Sequence, residues 1–201
     1  MITIISSLII ISSCSIRGYE PISNSETNKT LAPYVFGDEF KKAVYKTNIN
    51  IYSNNLTGIT LIKKIDSAYR VVSMSELGIK YMDIEFPFDR QKSAKVHYIM
   101  ESLNRKMLVN MFIKDFSLLF YPPEISHSHI MVNENNPDNL LIENKNLVYI
   151  FNSEGTISNI KKKRISGGTR PIVSFSYAKQ ASPNTISVIH GKIDYEFAII
   201  D

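Results

Sequence analysis

Histidines and paired carboxylates are the side chains of this 201-residue sequence whose spacing could support metal or proton chemistry. His127 and His129 lie two positions apart, which would place both imidazoles on one face of a strand as a metal-binding pair. No carboxylate follows at ligand spacing, and a metal site needs three or four ligands. We therefore expect solvated histidines and no bound metal. Asp83 and Glu85 share the same spacing, and we interpret them as the exposed polar face of a strand.

Motifs for nucleophilic catalysis and for phosphate binding do not occur in the sequence. Serine is abundant, but no Gly-x-Ser-x-Gly pattern is present, and Gly167-Gly168 precedes a predicted strand rather than a helix. We expect neither enzymatic activity nor a cofactor. The net charge of +4 is small, and the basic run Lys161–Arg164 has no interleaved aromatic residues, so nucleic acid is not an expected partner. This run is either a contact for anionic lipid headgroups or a solvated strand end.

The only cysteine, Cys14, follows directly on an apolar segment at the amino terminus. One cysteine excludes a disulfide framework and a thiolate metal cluster. The apolar run Ile2–Ile11 is about half the ~20 residues that a membrane-spanning helix needs, but it has the length of a secretory signal. The sequence Ile11-Ser12-Ser13-Cys14 resembles a bacterial lipobox, in which the signal is cut before a cysteine that then carries acyl chains. The alternatives are a buried strand with an incidental cysteine and an ordinary cleaved signal.

The lipobox divides the chain into a signal, a tether and a folded domain. Residues 1–13 are the predicted signal peptide, and residues 14–36, rich in Ser, Asn, Thr and Pro from Tyr19 onward, are a predicted flexible tether. No aspartate stands beside Cys14 to retain the protein in the inner membrane. We therefore expect a lipid anchor on the periplasmic face of the outer membrane.

Short runs of β-forming residues, each ended by turn residues, fill most of the remaining sequence. Their spacing of about 8–12 residues is typical of an antiparallel sheet or barrel, and we expect about ten or eleven strands. The predicted strands are Thr47–Ser53, Leu56–Ile65, Ala68–Ser75, Ile79–Phe86, His129–Val132, Leu140–Glu143, Leu147–Asn152, Ile157–Ile165, Pro171–Ala178, Asn184–His190 and Ile193–Ile200.

One central segment, Lys95–Phe120, has the three- and four-residue spacing of an amphipathic helix. The pattern fits one helix or two helices that meet around Asn110. Its apolar face includes Met100, Leu103, Met107 and Met111, which we expect to point into the concave side of the sheet. Its charged side is predicted to hold Lys95, Glu101, Arg105, Lys106, Lys114 and Asp115.

The order of these parts resembles the LolA/LolB superfamily of lipoprotein carriers, over about residues 40–201. The resemblance rests on Leu56–Lys63, on the hairpin from Tyr69 to Asp83 and on the closing strands Pro183–Ile200. It implies a mainly β fold for residues 37–201: an incomplete antiparallel β-barrel of about ten strands, roofed by the amphipathic helical segment. In the family, a Pro-Leu-Gly hairpin tip exposes a leucine that drives transfer into the membrane. Leu77 and Gly78 match that tip, whereas Glu76 stands in place of the proline.

These observations predict a monomeric outer-membrane lipoprotein that binds an acyl chain or another lipoprotein in a concave apolar cavity. The resemblance implies a receptor in lipoprotein localisation. The predicted contacts are Leu77 and Gly78 at the tip and Met100, Leu103, Met107 and Met111 on the helix, with Cys14 as the lipidation site. The alternative is a structural or assembly-factor lipoprotein without a lipid cavity. We predict high solvent exposure for Leu77 and a positive φ for Gly78.

Overall fold

The computed structural model describes residues 19–21, 31–123, 129–133, 135–164, 169–178 and 182–200. These residues form thirteen β-strands, one α-helix and a short 3-10 helix. The strands are β1 Tyr19–Pro21, β2 Lys42–Ile51, β3 Asn54–Ile65, β4 Ala68–Met74, β5 Lys80–Pro87, β6 Lys95–Ile99, β7 His129–Asn133, β8 Asn136–Asn144, β9 Leu147–Phe151, β10 Ile157–Lys163, β11 Thr169–Ser176, β12 Thr185–His190 and β13 Ile193–Ile199. The 3-10 helix is Glu101–Leu103, and the α-helix, α1, is Lys106–Phe120. Among the described residues, no helix has the length and apolar character that crossing a membrane requires.

All thirteen strands belong to one antiparallel sheet that does not close on itself. Its order is β1-β7-β8-β9-β10-β11-β12-β13-β2-β3-β4-β5-β6. The mainly β class is therefore confirmed, and all eleven predicted strands are present within a few residues of their expected bounds. The expected count of about ten strands is too low, because β1 and β6 add one strand at each open edge.

One face of the sheet carries the core from end to end. In β2 the alternate residues Ala43, Tyr45, Thr47, Ile49 and Ile51 are buried, as expected for a strand with one covered face. The strand register continues this face through the neighbouring strands. Its buried members include Ile62, Val71, Ile84, Val188, Val173, Ile160, Tyr149 and Ile142.

The sheet curves so that its distant strands enclose a common core. The amide of Ala32 donates a hydrogen bond to Gly155 in the turn after β9, at 2.9 Å. Four residues later the ring of Phe36 lies 6.4 Å from the ring of Tyr69 on β4. Strands β9 and β4 lie seven places apart in the strand order, and the segment from residue 32 to residue 36 contacts both β4 and the turn after β9. The residues of both strands accordingly belong to one hydrophobic cluster.

The predicted helix Lys95–Phe120 is wrong in its first half. Lys95–Ile99 is strand β6, in which Val96 pairs with Ile84 of β5. The 3-10 turn follows, and α1 begins only at Lys106. The run alternates β-branched and aromatic residues at Val96 and Tyr98, and such short apolar runs satisfy helical spacing by coincidence. A single helix runs through Asn110, so the chain does not form two helices there.

Helix α1 lies on the core face and packs on β4, β5 and β13 through aromatic rings. Phe116 lies 6.0 Å from Phe86 of β5 and 5.9 Å from Phe197 of β13, measured between ring centroids. Phe120 stacks on Tyr69 of β4 at 4.6 Å. The helix therefore covers the side of the sheet that faces the core, as a roof over β13 and β2–β5.

Strand alternation gives the sheet two ends, which we call the hairpin end and the far end. The hairpin end holds the turns 52–53, 75–79, 145–146 and 191–192, and α1 begins there. The far end holds the turn 66–67, the loop 88–94, the turn 152–155 and the carboxyl end of α1. Residues 31–40 also lie at the far end, since Lys64 of β3 donates a hydrogen bond to the carbonyl oxygen of Asp38 there.

The folded sheet includes part of the predicted tether. Tyr19–Pro21 forms strand β1 on β7, and Val35 and Phe36 are buried in the core. The apolar Val35-Phe36 pair packs against Phe40 and Phe120, so the domain begins before the expected boundary at residue 37. The predicted signal peptide and Cys14 lie outside the described residues.

Candidate functional site

The β4–β5 hairpin tip, Ser75–Ile79, is a tight turn closed by three hydrogen bonds. The amide of Ser75 donates to the carbonyl oxygen of Ile79 at 2.8 Å, and the amide of Gly78 donates to that of Ser75 at 2.9 Å. The Ser75 hydroxyl accepts a third bond from the Ile79 amide at 3.0 Å. Gly78 has φ +82°, as predicted, a conformation that residues with a Cβ rarely adopt.

A β-bulge and a close backbone contact set the direction of this tip. The register shifts between Ser73 and Met74, so Tyr81 and Met82 are both buried although they are neighbours in β5. The Tyr81 hydroxyl donates to the carbonyl oxygen of Thr57 on β3 at 2.8 Å. The carbonyl of Met74 lies directly over Gly58, so close that a Cβ there would be 2.0 Å from its oxygen. The base of the hairpin is thereby fixed to β3.

Beyond this base, the apolar side chains of the tip face solvent. Leu77 is 89% exposed and Ile79 is 57% exposed. The prediction of an exposed Leu77 is therefore confirmed. Burial of a leucine side chain is worth about 1.5–3 kcal/mol, and here a rigid turn keeps that surface in contact with water.

Basic residues also lie at the hairpin end, on elements other than the tip, which itself carries the exposed Glu76. Lys162 and Arg164 lie at the end of β10, Lys145 and Lys192 occupy the turns after β8 and β12, and Lys106 starts α1; all five are exposed. The basic run Lys161–Arg164 is the end of a strand, and within it Lys163 pairs with Glu143. The hairpin end combines apolar surface with positive charge.

The four predicted contact residues before and on the helix do not form one surface. Leu103 is buried in the core, and Met100 and Met111 are half-buried against it. Met107 is 58% exposed, so its predicted position on the concave side is wrong. The reason is that α1 starts at Lys106, and its inner face is set by Leu108, which is about 100° further around the helix than Met107.

Aromatic side chains occupy the space between this helix face and the sheet. Phe112 and Phe116 pack on Tyr195, and Phe116 and Phe120 pack on Phe86. An acyl chain could not enter there without displacing these rings. Of the predicted contacts, the tip and Met107 are exposed to solvent, whereas Met100 and Met111 are half-buried and Leu103 is buried.

A buried polar cluster beneath the helix escaped the sequence analysis. Asp115 was expected on the charged side of the helix, but it is 4% exposed and accepts hydrogen bonds from His190 Nε2 at 2.9 and 3.0 Å. The hydroxyl of Tyr195 also donates to Asp115. Burial, together with the charge and hydrogen bond of Asp115, raises the pKa of Tyr195 well above its usual value near 10, so this hydroxyl remains a donor.

The sequence contained one signal for this cluster. Asp115 follows Phe112 by three residues and precedes Leu119 by four, so it lies on the apolar stripe itself. A carboxylate at such a position requires a buried partner. With bonds to both β12 and β13, the cluster fixes the helix to the sheet.

Asp83 is paired with cations and Glu85 contacts a histidine, so the two carboxylates do not pair with each other. Asp83 is buried, contrary to the expected exposed face, and accepts hydrogen bonds from Arg70 Nε at 2.8 Å and Lys80 Nζ at 3.1 Å. Glu85 contacts His97 Nε2 at 2.9 Å. Within the described residues there is no group of three or more His, Cys, Asp or Glu side chains that could hold a metal ion. His127 and the side chain of His129 lie outside them.

Comparisons with known proteins leave the structure as the main source of functional information. No protein-family model matches the sequence, and no curated protein matches it.

Proposed function

We propose that this chain is a lipid-anchored protein of the outer membrane that binds the acyl chain of a lipid or lipoprotein with its hairpin tip. The observation that carries the proposal is the 89% exposure of Leu77 on a turn whose base is fixed to β3. A fixed apolar tip can insert between acyl chains without the entropic cost of ordering a flexible loop. Aromatic rings fill the space directly beneath α1, and we therefore assign the acyl-chain contact to the tip.

The charge of the hairpin end supports a lipid surface as the target. Lys106, Lys145, Lys162, Arg164 and Lys192 lie at the same end as Leu77. Each basic residue near an anionic bilayer contributes about 1 kcal/mol of attraction. Electrostatic attraction then brings the tip to the surface, and burial of Leu77 and Ile79 stabilises the contact.

The position of the proposed anchor separates it from the tip. Tyr19 pairs with Asn133, so the chain enters β1 from the far end. Cys14 precedes Tyr19 by five residues, and the proposed anchor therefore lies on the side of the far end, where the chain enters β1. In this arrangement the far end faces the anchoring membrane, and the tip is directed toward a second surface that delivers or receives the acyl chain.

Vesicle binding by residues 15–201, which lack the predicted signal and Cys14, tests the tip without the anchor. We expect this form to bind vesicles that contain anionic lipid, and we expect Leu77→Glu and Ile79→Glu to weaken that binding at least tenfold. Ile200→Glu is the matched control, because it removes an isoleucine of similar exposure at the far end. Transfer of a fluorescent acylated lipopeptide to the vesicles is measured with the same proteins.

Two results would contradict this proposal. One is unchanged vesicle binding and lipopeptide transfer by folded Leu77→Glu and Ile79→Glu. The other is an equal loss in Ile200→Glu, which would make the effect independent of the tip. The anchor is tested separately: the parent chain should fractionate with outer membranes, and Cys14→Ala should not.

The second candidate, an assembly-factor lipoprotein, is favoured by the open edge at β6. Lys95–Ile99 is the last strand of the sheet, and Val96 and Tyr98 are exposed. An exposed edge strand can pair with a strand of another protein. Val96→Pro would block such pairing and leave vesicle binding by the tip intact.

A further inference from the structure

A pocket of about 220 Å³ opens at the far end, away from the hairpin tip. It lies between residues 34–38, the start of β4, the loop after β5 and the carboxyl end of α1. Its walls are mainly aromatic, formed by Tyr34, Tyr69, Phe88, Phe120 and Tyr121. Sequence analysis did not find it, because these residues come from four separate parts of the chain.

Ring packing fixes the inner wall and leaves the outer wall open to solvent. Tyr69 stacks on Phe120 with 4.6 Å between ring centroids and an interplanar angle of 10°. Phe88 meets Tyr69 edge-on at 5.2 Å. Tyr34 is 49% exposed and Phe88 is 40% exposed, so aromatic surface remains available for a ligand.

Residues of both charges line the pocket, Asp38 and Arg90. Burial, together with the nearby Asp38 and Tyr34, raises the pKa of Tyr69. The Arg90 guanidinium lies 5.7 Å from the centre of the Tyr121 ring and donates to the carbonyl oxygen of Pro122 at 3.0 Å. In the part of the chain that the structure describes, neither Asp38 nor Arg90 forms an ion pair.

Each charged residue suits a different ligand group. Aromatic faces and a carboxylate attract an ammonium group, which is the chemistry of aromatic cages. A guanidinium with free N–H donors binds phosphate or carboxylate. We propose that this pocket binds a small zwitterion, with its ammonium group between Asp38 and the rings of Tyr34 and Tyr69 and its anionic group on Arg90.

Two sources could supply such a zwitterion: a phospholipid headgroup or a free amino acid. They share the same charges, and titration calorimetry of the full chain distinguishes them with phosphocholine and L-phenylalanine as probes. Choline alone and inorganic phosphate alone represent the two halves. We expect one zwitterion to bind at least tenfold more tightly than either half.

Charge variants then test Arg90 and Asp38, each against a matched neighbour. Arg90→Gln and Asp38→Asn should each weaken binding at least fivefold. Lys92→Gln and Glu39→Gln alter exposed charges in the same two segments without lining the pocket, and should leave affinity unchanged. Tyr34→Leu removes an exposed ring without changing either charge and should weaken binding severalfold. Thermal unfolding confirms that each variant is folded.

Three outcomes would overturn the proposal. The first is the absence of binding by both zwitterions. The second is binding of choline or phosphate alone as tight as that of the zwitterion, which would indicate a site for one charge only. The third is parental affinity in both Arg90→Gln and Asp38→Asn. None of these results depends on Leu77 or Cys14, so the pocket and the proposed function can fail independently.

Discussion

Gly58→Ala should destabilise the protein although the glycine has no unusual backbone conformation. An alanine Cβ would lie 2.0 Å from the carbonyl oxygen of Met74 and 2.8 Å from Ser75 Cα. Contacts of this kind are essentially never shorter than 3.0 Å, so the end of β4 must move by about 1 Å. The atoms that must move belong to the backbone and pair with Ile59 of β3.

The expected cost follows from these contacts. Overpacking in a well-packed site costs about 1–3 kcal/mol, and loss of one ladder hydrogen bond adds about 1 kcal/mol. We therefore expect Gly58→Ala to lower the free energy of unfolding by about 2–4 kcal/mol. Because the shift occurs at the base of the hairpin, it should also weaken vesicle binding by the tip.

Gly78→Ala is the matched comparison, since no atom lies within 4 Å of its Cβ position. Its φ of +82° is the only obstacle, and a left-handed conformation costs a residue with a Cβ about 1–2 kcal/mol. Urea unfolding followed by circular dichroism measures both variants. Equal stability of Gly58→Ala and the parent would refute the close contact. A larger loss in Gly78→Ala than in Gly58→Ala would show that conformation, rather than space, limits this hairpin.

Two further predictions concern the helix and acid stability. Leu108→Ala should lower the free energy of unfolding in urea by about 2–5 kcal/mol. Met107→Ala, one residue earlier and exposed, should change it by less than about 0.5 kcal/mol. Similar losses in both variants would contradict the orientation of α1. Burial acts to raise the pKa of Asp83, but hydrogen bonds from Arg70 and Lys80 outweigh it and lower the pKa. This carboxylate therefore stabilises the fold above its unfolded pKa of about 3.9, and that contribution is lost as the pH falls through the lowered folded pKa. Asp83→Asn should lower the free energy of unfolding by about 1–3 kcal/mol at pH 7 and should make stability less dependent on pH below about pH 4. If the variant loses stability in acid as the parent does, Asp83 is not the source of that loss.

Local sequence signals predicted most of the sheet and the conformation of the hairpin tip. Strands such as Leu56–Ile65 are visible because alternating burial imposes a period of two, and turn residues end each run. Gly78 was predictable for the same local reason, since a tight turn there needs a positive φ. The exposure of Leu77 follows from its place in that turn.

Tertiary structure alone decided which segments act together. Lys95–Ile99 forms a strand because it pairs with the open edge of β5. The helix therefore begins later than predicted, at Lys106, and Met107 faces solvent. The buried carboxylate of Asp115 is stabilised by hydrogen bonds from His190 and Tyr195, which come 75 and 80 residues later in the chain. The far-end pocket depends on the curvature of the sheet, which brings residues 34–38 against β4 and the end of α1. Periodicity records which face of each element is covered, whereas contacts between distant segments depend on how those faces pack, and no local pattern contains that information.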